Sequence, residues 1–296
     1  STTDKDNQGA TISDLVATES AEQSDFFQTA KAAQGGSGSK KKVPNSVSVL
    51  EVLRSQDMLV PGSNLDPSFT DEYRRIKRPL LSNAFGKTAS LVERGNLILI
   101  TSSMPGEGKT HTSVNLALSM AQERDNTVLL VDCDVTRQGV SHLLDIADKR
   151  GLVEVLEDEN LTIADVILRT DIPNFSVLSA GKHHEYVTEL LASQRMANLV
   201  NELVSRYSDR VIVFDGPPLL PTPETQVLAG LVGQVVFVIA AGETPRSVVE
   251  EAIALVPEGK AAGLVMNKSE GVFERSGYYY GYYGSGADTS KNKNRS

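Results

Sequence analysis

The stretch Ser102-Ser103-Met104-Pro105-Gly106-Glu107-Gly108-Lys109-Thr110-His111-Thr112 decides the fold. A short apolar run at residues 97–100 precedes it, and apolar residues at helical spacing (positions 114, 118 and 121) follow it. A strand, a glycine-rich turn, Lys-Thr and a helix, in that order, make a P-loop, whose backbone N–H groups surround a phosphate. The first glycine of the G-x-x-x-x-G-K-[ST] pattern is Ser103 here.

Each part of this P-loop has a chemical role. Gly106 and Gly108 let the backbone curl around a phosphate without a Cβ in the way, and the first turn of the helix adds its unpaired N–H groups. Lys109 can reach the β- and γ-phosphates, and the Thr110 hydroxyl can ligate Mg²⁺. The alternative is a glycine-rich turn with a surface lysine. The predicted cofactor-binding residues of the loop are Met104, Pro105, Gly106, Glu107, Gly108, Lys109, Thr110 and His111.

Three aspartates stand at the ends of apolar runs. Residues 127–131 lead into Asp132-Cys133-Asp134, and residues 210–214 lead into Asp215, which Gly-Pro-Pro follows. The carboxyl ends of strands are where open α/β sheets bind ligands, and carboxylates held close together need a cation between them. Asp215 fits a Walker B acid, with a plain turn aspartate as the alternative.

Asn267 ends the last apolar run, residues 263–267. Its amide could meet the edge of a purine, which adds Asn267 to the predicted cofactor-binding residues, or it could be an ordinary turn residue. Sequence spacing leaves both interpretations open.

Strand and helix patterns alternate from residue 96 to 267, which predicts an α/β fold: a P-loop NTPase with a mostly parallel sheet and helices on both faces. Helices are expected at 47–59, 71–83, 151–156, 162–168, 187–207 and 245–256. Strands are expected at 97–100, 127–131, 175–178, 210–215, 235–240 and 263–267.

The composition of the chain argues against some classes of protein, and its changes in polarity divide it into three segments. The 296 residues carry a net charge of −9, which argues against a general nucleic-acid binder, and a single cysteine, Cys133, which favours a reducing compartment. No apolar run approaches the roughly 20 residues that span a bilayer. We expect a disordered segment at 1–46, one domain at 47–270 (with N-terminal helices at 47–95), and a flexible tail at 271–296.

The spacing of residues 71–83 predicts an amphipathic helix. Tyr73, Ile76 and Leu80 fall on one arc of the helix. Glu72, Arg75 and Arg78 form a separate stripe. This stripe is either a solvated charged face or a subunit contact, in which Glu72 of one protomer meets Arg75 or Arg78 of the next and the repeated contact closes a ring.

Five of the chain's eight tyrosines stand in the tail among glycine and serine: Tyr278, Tyr279, Tyr280, Tyr282 and Tyr283. They lack strand or helix spacing, which indicates an exposed segment. They are either phosphate acceptors or part of a low-complexity aromatic tail.

With these residues in view, the chain resembles a bacterial tyrosine kinase made as a separate cytoplasmic protein. Residues 102–110 resemble the family's Walker A, 128–134 its extra A′ motif and 211–215 its Walker B. Glu72-x-x-Arg75-x-x-Arg78 resembles its oligomerisation motif, and 278–283 its tyrosine cluster. Residues 72–81 and 189–193 are similar to the exosortase-associated tyrosine autokinases of exopolysaccharide gene clusters. Thr136 stands where the family often has arginine, one place before Arg137.

The resemblance implies ATP and Mg²⁺ as cofactors, with Mg²⁺ positioned by Thr110, Asp134 and Asp215. It implies Lys109, Asp132, Asp134 and Asp215 as catalytic residues, with Asp132 orienting or deprotonating a tyrosine from a neighbour's tail.

The resemblance also implies a ring-shaped homo-oligomer and a transmembrane partner of the polysaccharide co-polymerase (chain-length determinant) type. That partner would recruit a cytoplasmic protein to the inner membrane. The alternatives are a ParA/MinD-like ATPase, which would carry a lysine where this chain has Met104, and a nucleotide-dependent binding module.

Overall fold

The apolar runs form an eight-stranded sheet in a computed structural model of the chain, which describes residues 45–183, 186–207 and 209–269. The strands are β1 Ser46–Val47, β2 Leu97–Ser102, β3 Thr127–Asp132, β4 Leu168–Thr170, β5 Phe175–Leu178, β6 Arg210–Asp215, β7 Gln234–Ala240 and β8 Ala261–Asn267. The helices are α1 Leu50–Ser55, α2 Pro67–Phe85, α3 Lys109–Ala121, α4 Gly139–Leu143, α5 Leu152–Glu157, α6 Val187–Leu191, α7 Gln194–Arg206, α8 Glu224–Leu231 and α9 Arg246–Ala254.

The spatial order of the strands is β1-β4-β5-β3-β6-β2-β7-β8. Neighbouring strands are parallel except β4 and β5, which pair antiparallel. The P-loop strand β2 lies between β6 and β7, and all six of its residues are buried. A parallel sheet with such strands must be covered on both faces.

Two apolar layers cover the two faces of the sheet. Alternate residues of β2 enter different layers: Leu97 and Leu99 face one, and Ile98 and Ile100 face the other. The first layer contains residues of α5, α7 and α8, and the second contains residues of α1, α2 and α3. The predicted fold class, a mostly parallel sheet with helices on both faces, is confirmed.

Helix α2 packs on the P-loop helix α3. Asp66 caps α2 by accepting a hydrogen bond from Ser68 N at 2.8 Å. Tyr73 and Leu80 are buried, as the helical arc predicts, and so is Lys77. The Lys77 ammonium donates to the Ser119 carbonyl at 2.7 Å and pairs with Glu123 at 2.6 Å, so it satisfies a carbonyl at the C-terminal end of α3.

Several element boundaries differ from the sequence predictions. The helix expected over 47–59 is only Leu50–Ser55, because residues 46–47 pair with β4. The helix expected over 162–168 is a 3₁₀ turn at Ile163–Asp165, followed by β4. The pattern at 187–207 is two helices, because the side chain of Ser193 accepts from Met196 N and starts α7. Among the described residues, no helix combines the length and apolarity needed to cross a membrane.

Candidate functional site

The P-loop joins β2 to α3 through residues 103–108. Gly106 and Gly108 have φ angles of 87° and 93°, the left-handed region that glycine tolerates and other residues rarely adopt. Helix α3 begins at Lys109, so the backbone N–H groups of its first turn have no intrahelical acceptor. Ser103, in the place of the first motif glycine, is buried, and its Oγ has no hydrogen-bond partner within the described residues. The loop therefore has the backbone shape that receives an anion.

Two buried carboxylates, Asp134 and Asp215, contact the start of α3, and a third, Asp132, lies beside Asp215. Asp132 and Asp215 are register neighbours on β3 and β6, and Asp134 lies two residues beyond Asp132. Lys109 Nζ pairs with Asp134 Oδ2 at 3.0 Å, and Thr110 Oγ1 donates to Asp215 Oδ2 at 2.8 Å. The fold thus brings together five of the residues that the sequence singled out for catalysis and metal binding.

Ser113 also belongs to this cluster, although sequence analysis missed it. Its hydroxyl lies 2.8 Å from Asp215 Oδ1 and 2.9 Å from the Lys109 carbonyl oxygen, and its one proton is shared between these two acceptors. Each oxygen of the Asp215 carboxylate therefore accepts a hydrogen bond from a hydroxyl group of α3. The spacing of the sequence could have revealed Ser113, because residues 109, 110 and 113 of a helix lie on the same side of it.

The Asp132 carboxylate is held by a second serine that sequence analysis missed. Oδ2 of Asp132 accepts from Ser141 N at 2.8 Å and from Ser141 Oγ at 2.7 Å. Ser141 Oγ also contacts Ser179 Oγ at 3.2 Å. The other oxygen, Asp132 Oδ1, is buried and lacks a hydrogen-bond partner in the part of the chain described. An unpaired carboxylate oxygen of this kind is suited to bind a proton, a water molecule or a cation.

Burial raises the pKa values of two of these carboxyl groups. The pKa of Asp132 rises to about 7, first because of burial and then because of the nearby Asp215 charge. The pKa of Asp215 rises to about 6 by burial, which Lys109, Ser113 and Thr110 partly oppose. The cluster therefore holds more negative charge than Lys109 can balance, an arrangement that favours a cation.

The chemistry of this cluster fits a divalent cation of the Mg²⁺ type bound together with a phosphate. Within residues 45–183, 186–207 and 209–269, no three His, Cys, Asp or Glu side chains converge as a metal-binding group. Mg²⁺ does not need such a group, since it commonly takes one or two carboxylates and fills its other positions with water and substrate phosphates. Asp215, Asp134 and the Thr110 hydroxyl have oxygen atoms of the kind that could hold such an ion.

Asn267 contacts the P-loop backbone. Its Nδ2 donates to the Glu107 carbonyl at 2.9 Å, and a Cβ placed on Gly108 would lie 1.9 Å from that same nitrogen. Of the two interpretations that the sequence left open, neither anticipated this contact. One N–H of the Asn267 side-chain amide is therefore engaged with the loop.

The other predicted cofactor-binding residues of the loop differ in their exposure to solvent and in their neighbours. Met104 and Pro105 are exposed, whereas Glu107 is buried. His111 packs edge-on to Phe69 of α2, with ring centroids 6.2 Å apart, and burial lowers its pKa. The His111 side chain is therefore a neutral contact to α2, and its backbone N–H is the part placed in the first turn of α3.

Other predicted residues are separate from the carboxylate cluster or undescribed. Glu72, Arg75 and Arg78 are exposed on α2. The five tail tyrosines, Tyr278, Tyr279, Tyr280, Tyr282 and Tyr283, lie outside the described residues.

Comparisons with known proteins point to one group. A family model described as an AAA domain matches residues 95–240. CapB of Staphylococcus aureus is 33% identical over 220 residues, covering 73% of this chain and 91% of CapB. The tyrosine-protein kinase YwqD of Bacillus subtilis strain 168 is 30% identical over 218 residues, covering 73% of this chain and 86% of YwqD. The crystal structure of the VpsO kinase domain aligns with a TM-score of 0.53 at 30% identity, covering 68% of this chain and 98% of that domain.

Proposed function

This chain belongs to the bacterial tyrosine kinases, and we propose that it transfers the γ-phosphoryl group of ATP to tyrosines of its own C-terminal segment. The observation that carries the proposal is the buried cluster in which Lys109, Thr110 and Ser113 of one helix turn contact Asp134 and Asp215. A positive charge, hydroxyl groups and carboxylates beside a P-loop are the parts that phosphoryl transfer uses.

ATP would occupy the P-loop, with its phosphates on the backbone N–H groups between Gly106 and Thr110. Lys109 now pairs with Asp134 at 3.0 Å. On our proposal it turns to the β- and γ-phosphates, where its charge stabilises the transferred group. That movement leaves Asp134 free to join Asp215 and Thr110 in holding Mg²⁺. The metal, when bound, would neutralise charge on the phosphate oxygens.

Asp132 is our candidate to orient or deprotonate the tyrosine. Ser141 holds one carboxylate oxygen, and the other is buried without a partner among the described residues. The tyrosine oxygen would form the new bond to the γ-phosphorus while the bond to the β-phosphate oxygen breaks and ADP leaves. The phenolic proton would pass to Asp132 Oδ1, whose raised pKa of about 7 makes it a stronger base than an ordinary aspartate.

The acceptors on this proposal are the tail tyrosines at 278–280 and 282–283 of a neighbouring subunit. Glu72, Arg75 and Arg78 are exposed on α2 and would form the contact that closes a ring. Phosphorylating five tyrosines would add roughly −8 to −10 of charge, so we expect the subunits to separate afterwards. The resemblance to exopolysaccharide autokinases extends the proposal to regulation of exopolysaccharide synthesis with a membrane co-polymerase, which would bring the cytoplasmic protein to the inner membrane.

Intact-mass measurement after incubation with ATP and Mg²⁺ tests the activity. We expect mass gains in steps of one phosphate for the wild type and none for Lys109→Met or for a variant with all five tail tyrosines changed to phenylalanine. Tyr186→Phe, which removes an exposed tyrosine outside the tail, is the matched control and should behave as wild type. Gains that persist in the five-fold variant would place the acceptor elsewhere.

Absence of any mass gain would be followed by adding the cytoplasmic segment of a co-polymerase. ATP hydrolysis without phosphotyrosine under that condition would favour the ATPase alternative and refute the kinase proposal.

Light scattering tests the ring. Replacing Arg75 and Arg78 together by alanine should lower the molar mass to that of a monomer. Arg74→Ala is the control, because Arg74 lies on the same helix and already pairs with Asp71 at 2.8 Å. An identical mass for the phosphorylated and unphosphorylated wild type would refute the cycle of assembly and release.

A further inference from the structure

Glu107 places a carboxylate inside the loop that is shaped for an anion. It stands between Gly106 and Gly108 and is only 3% exposed. A negative charge next to a triphosphate opposes binding by Coulomb repulsion. The hydrogen bonds of the Glu107 carboxylate indicate a structural role within the loop.

Both oxygens of the Glu107 carboxylate accept hydrogen bonds. Oε2 accepts from the backbone N–H of Met104 at 2.6 Å, within the same loop. Oε1 accepts from the hydroxyl of Thr244, which lies in the segment after β7. The carboxylate therefore joins the start of the P-loop to a different loop of the sheet.

A third contact comes from the next strand. The Glu107 backbone carbonyl accepts from Asn267 Nδ2 at 2.9 Å, and Asn267 O accepts from Ala241 N at 2.8 Å. The segment that carries Thr244 is itself closed by a hydrogen bond from Thr244 N to Ala240 O at 3.1 Å. The ends of β7 and β8 thus support each other and hold the same P-loop residue.

We propose that Glu107, Thr244 and Asn267 form a P-loop clamp that holds the loop in its anion-binding shape before the nucleotide arrives. The two glycines on either side of Glu107 give the loop backbone many alternative conformations, and ordering them would otherwise cost free energy when the nucleotide binds. By donating to Oε1, the Thr244 hydroxyl also keeps the Glu107 carboxylate oriented toward the segment after β7. Glu107 and Thr244 act through the loop backbone and are positioning residues for the nucleotide.

The clamp rests on the proposed function, in that its ligand is a nucleotide, and its test measures nucleotide binding directly. Thr244→Val removes the hydroxyl while keeping the shape of the side chain, and Thr244→Ser restores the hydroxyl. We expect Thr244→Val to weaken binding of a fluorescent ADP derivative by about tenfold or more, because a hydrogen bond to a charged group contributes more than one between neutral groups, and Thr244→Ser to recover most of it. Glu258→Ala, an exposed glutamate beyond α9, is the control and should bind as wild type.

Two further measurements separate a clamp from general destabilisation. Amide hydrogen exchange in a peptide covering residues 103–110 should become faster in nucleotide-free Thr244→Val, while exchange in β3 and β6 stays unchanged. In a Glu107→Ala background, Thr244→Val should cause no additional loss of affinity, because Thr244 acts through Glu107.

Unchanged affinity in Thr244→Val, or a loss that adds fully to that of Glu107→Ala, would overturn the clamp while leaving the kinase proposal intact. A wild-type chain that binds no nucleotide at all would refute both. Binding by the wild type without tail phosphorylation, even with the cytoplasmic segment of a co-polymerase added, would refute only the kinase proposal.

Discussion

Replacing Asp132 by asparagine should make the nucleotide-free protein more stable at alkaline pH, although it removes a carboxylate from the proposed active site. An unfolded aspartate titrates near pH 3.8, whereas burial and Asp215 raise the pKa of folded Asp132 to about 7. The folded state therefore keeps its proton to higher pH than the unfolded chain does. The stability associated with this group is highest at acidic pH, declines between about pH 4 and 7, and stays low above 7.

The size of the effect follows from those two pKa values. At about 1.4 kcal/mol for each pH unit between them, ionised Asp132 costs about 4 kcal/mol at pH 8. Asparagine can still accept both hydrogen bonds from Ser141, but its N–H₂ group would replace the unpaired Oδ1 at a cost of about 1–3 kcal/mol. We expect a net gain of about 2 kcal/mol at pH 8, or about 4–8 °C in melting temperature for a domain of this size.

Thermal unfolding followed by circular dichroism measures this gain. Wild type, Asp132→Asn and the exposed control Asp125→Asn would be compared at pH 5 and pH 8, with EDTA present to remove divalent cations. The stability of Asp132→Asn relative to wild type should fall by about 3 kcal/mol on going from pH 8 to pH 5, because Asp132 is then protonated in the folded state, so the variant should be slightly less stable than wild type at pH 5. A pH-independent difference, or a variant less stable than wild type at pH 8, would refute this account of the buried charge.

Two other substitutions test the packing around the P-loop. Gly108→Ala should weaken binding of the fluorescent ADP derivative at least about tenfold. Alanine disfavours a φ of 93°, and its Cβ would lie 1.9 Å from Asn267 Nδ2. Unchanged affinity in that titration would contradict the observed loop geometry. Lys77→Met should lower the free energy of unfolding in urea by about 1–3 kcal/mol, because it leaves Glu123 and a carbonyl of α3 without a partner. The exposed Lys87→Met is its control, and equal effects of the two changes would show that the buried ammonium contributes nothing.

The sheet could be predicted from the sequence because its central strands are continuous apolar runs. The strand predicted over 210–215 matches β6 residue for residue, and the one over 175–178 matches β5. The missed strands are β1, with two residues, and β4, with three. Neither is long enough to show a hydrophobic period, and β1 depends on pairing with β4, more than a hundred positions away.

The carboxylate cluster was predictable in part. Lys109, Thr110 and Asp215 belong to motifs whose spacing is set by the chemistry of phosphate and Mg²⁺. Ser141 lies in α4 and Thr244 in the segment after β7, and neither belongs to such a motif, since each contacts its carboxylate only once the chain has folded. Asn267 was noticed for its position at a strand end, but its contact with the loop could not be inferred without the distance between β8 and α3.

The position of β2 in the sheet has a consequence for synthesis on the ribosome. Leu97 pairs with Ile212, and Ile98 pairs with Gln234, so the P-loop strand has no sheet neighbour until more than a hundred further residues have been made. At about 5–20 residues per second, that interval lasts roughly 6 to 20 seconds. During it the nascent chain carries a complete P-loop motif without the strands that support it, and its apolar segment must be kept from aggregating. Nucleotide can therefore stabilise the chain only after β6 and β7 have been made.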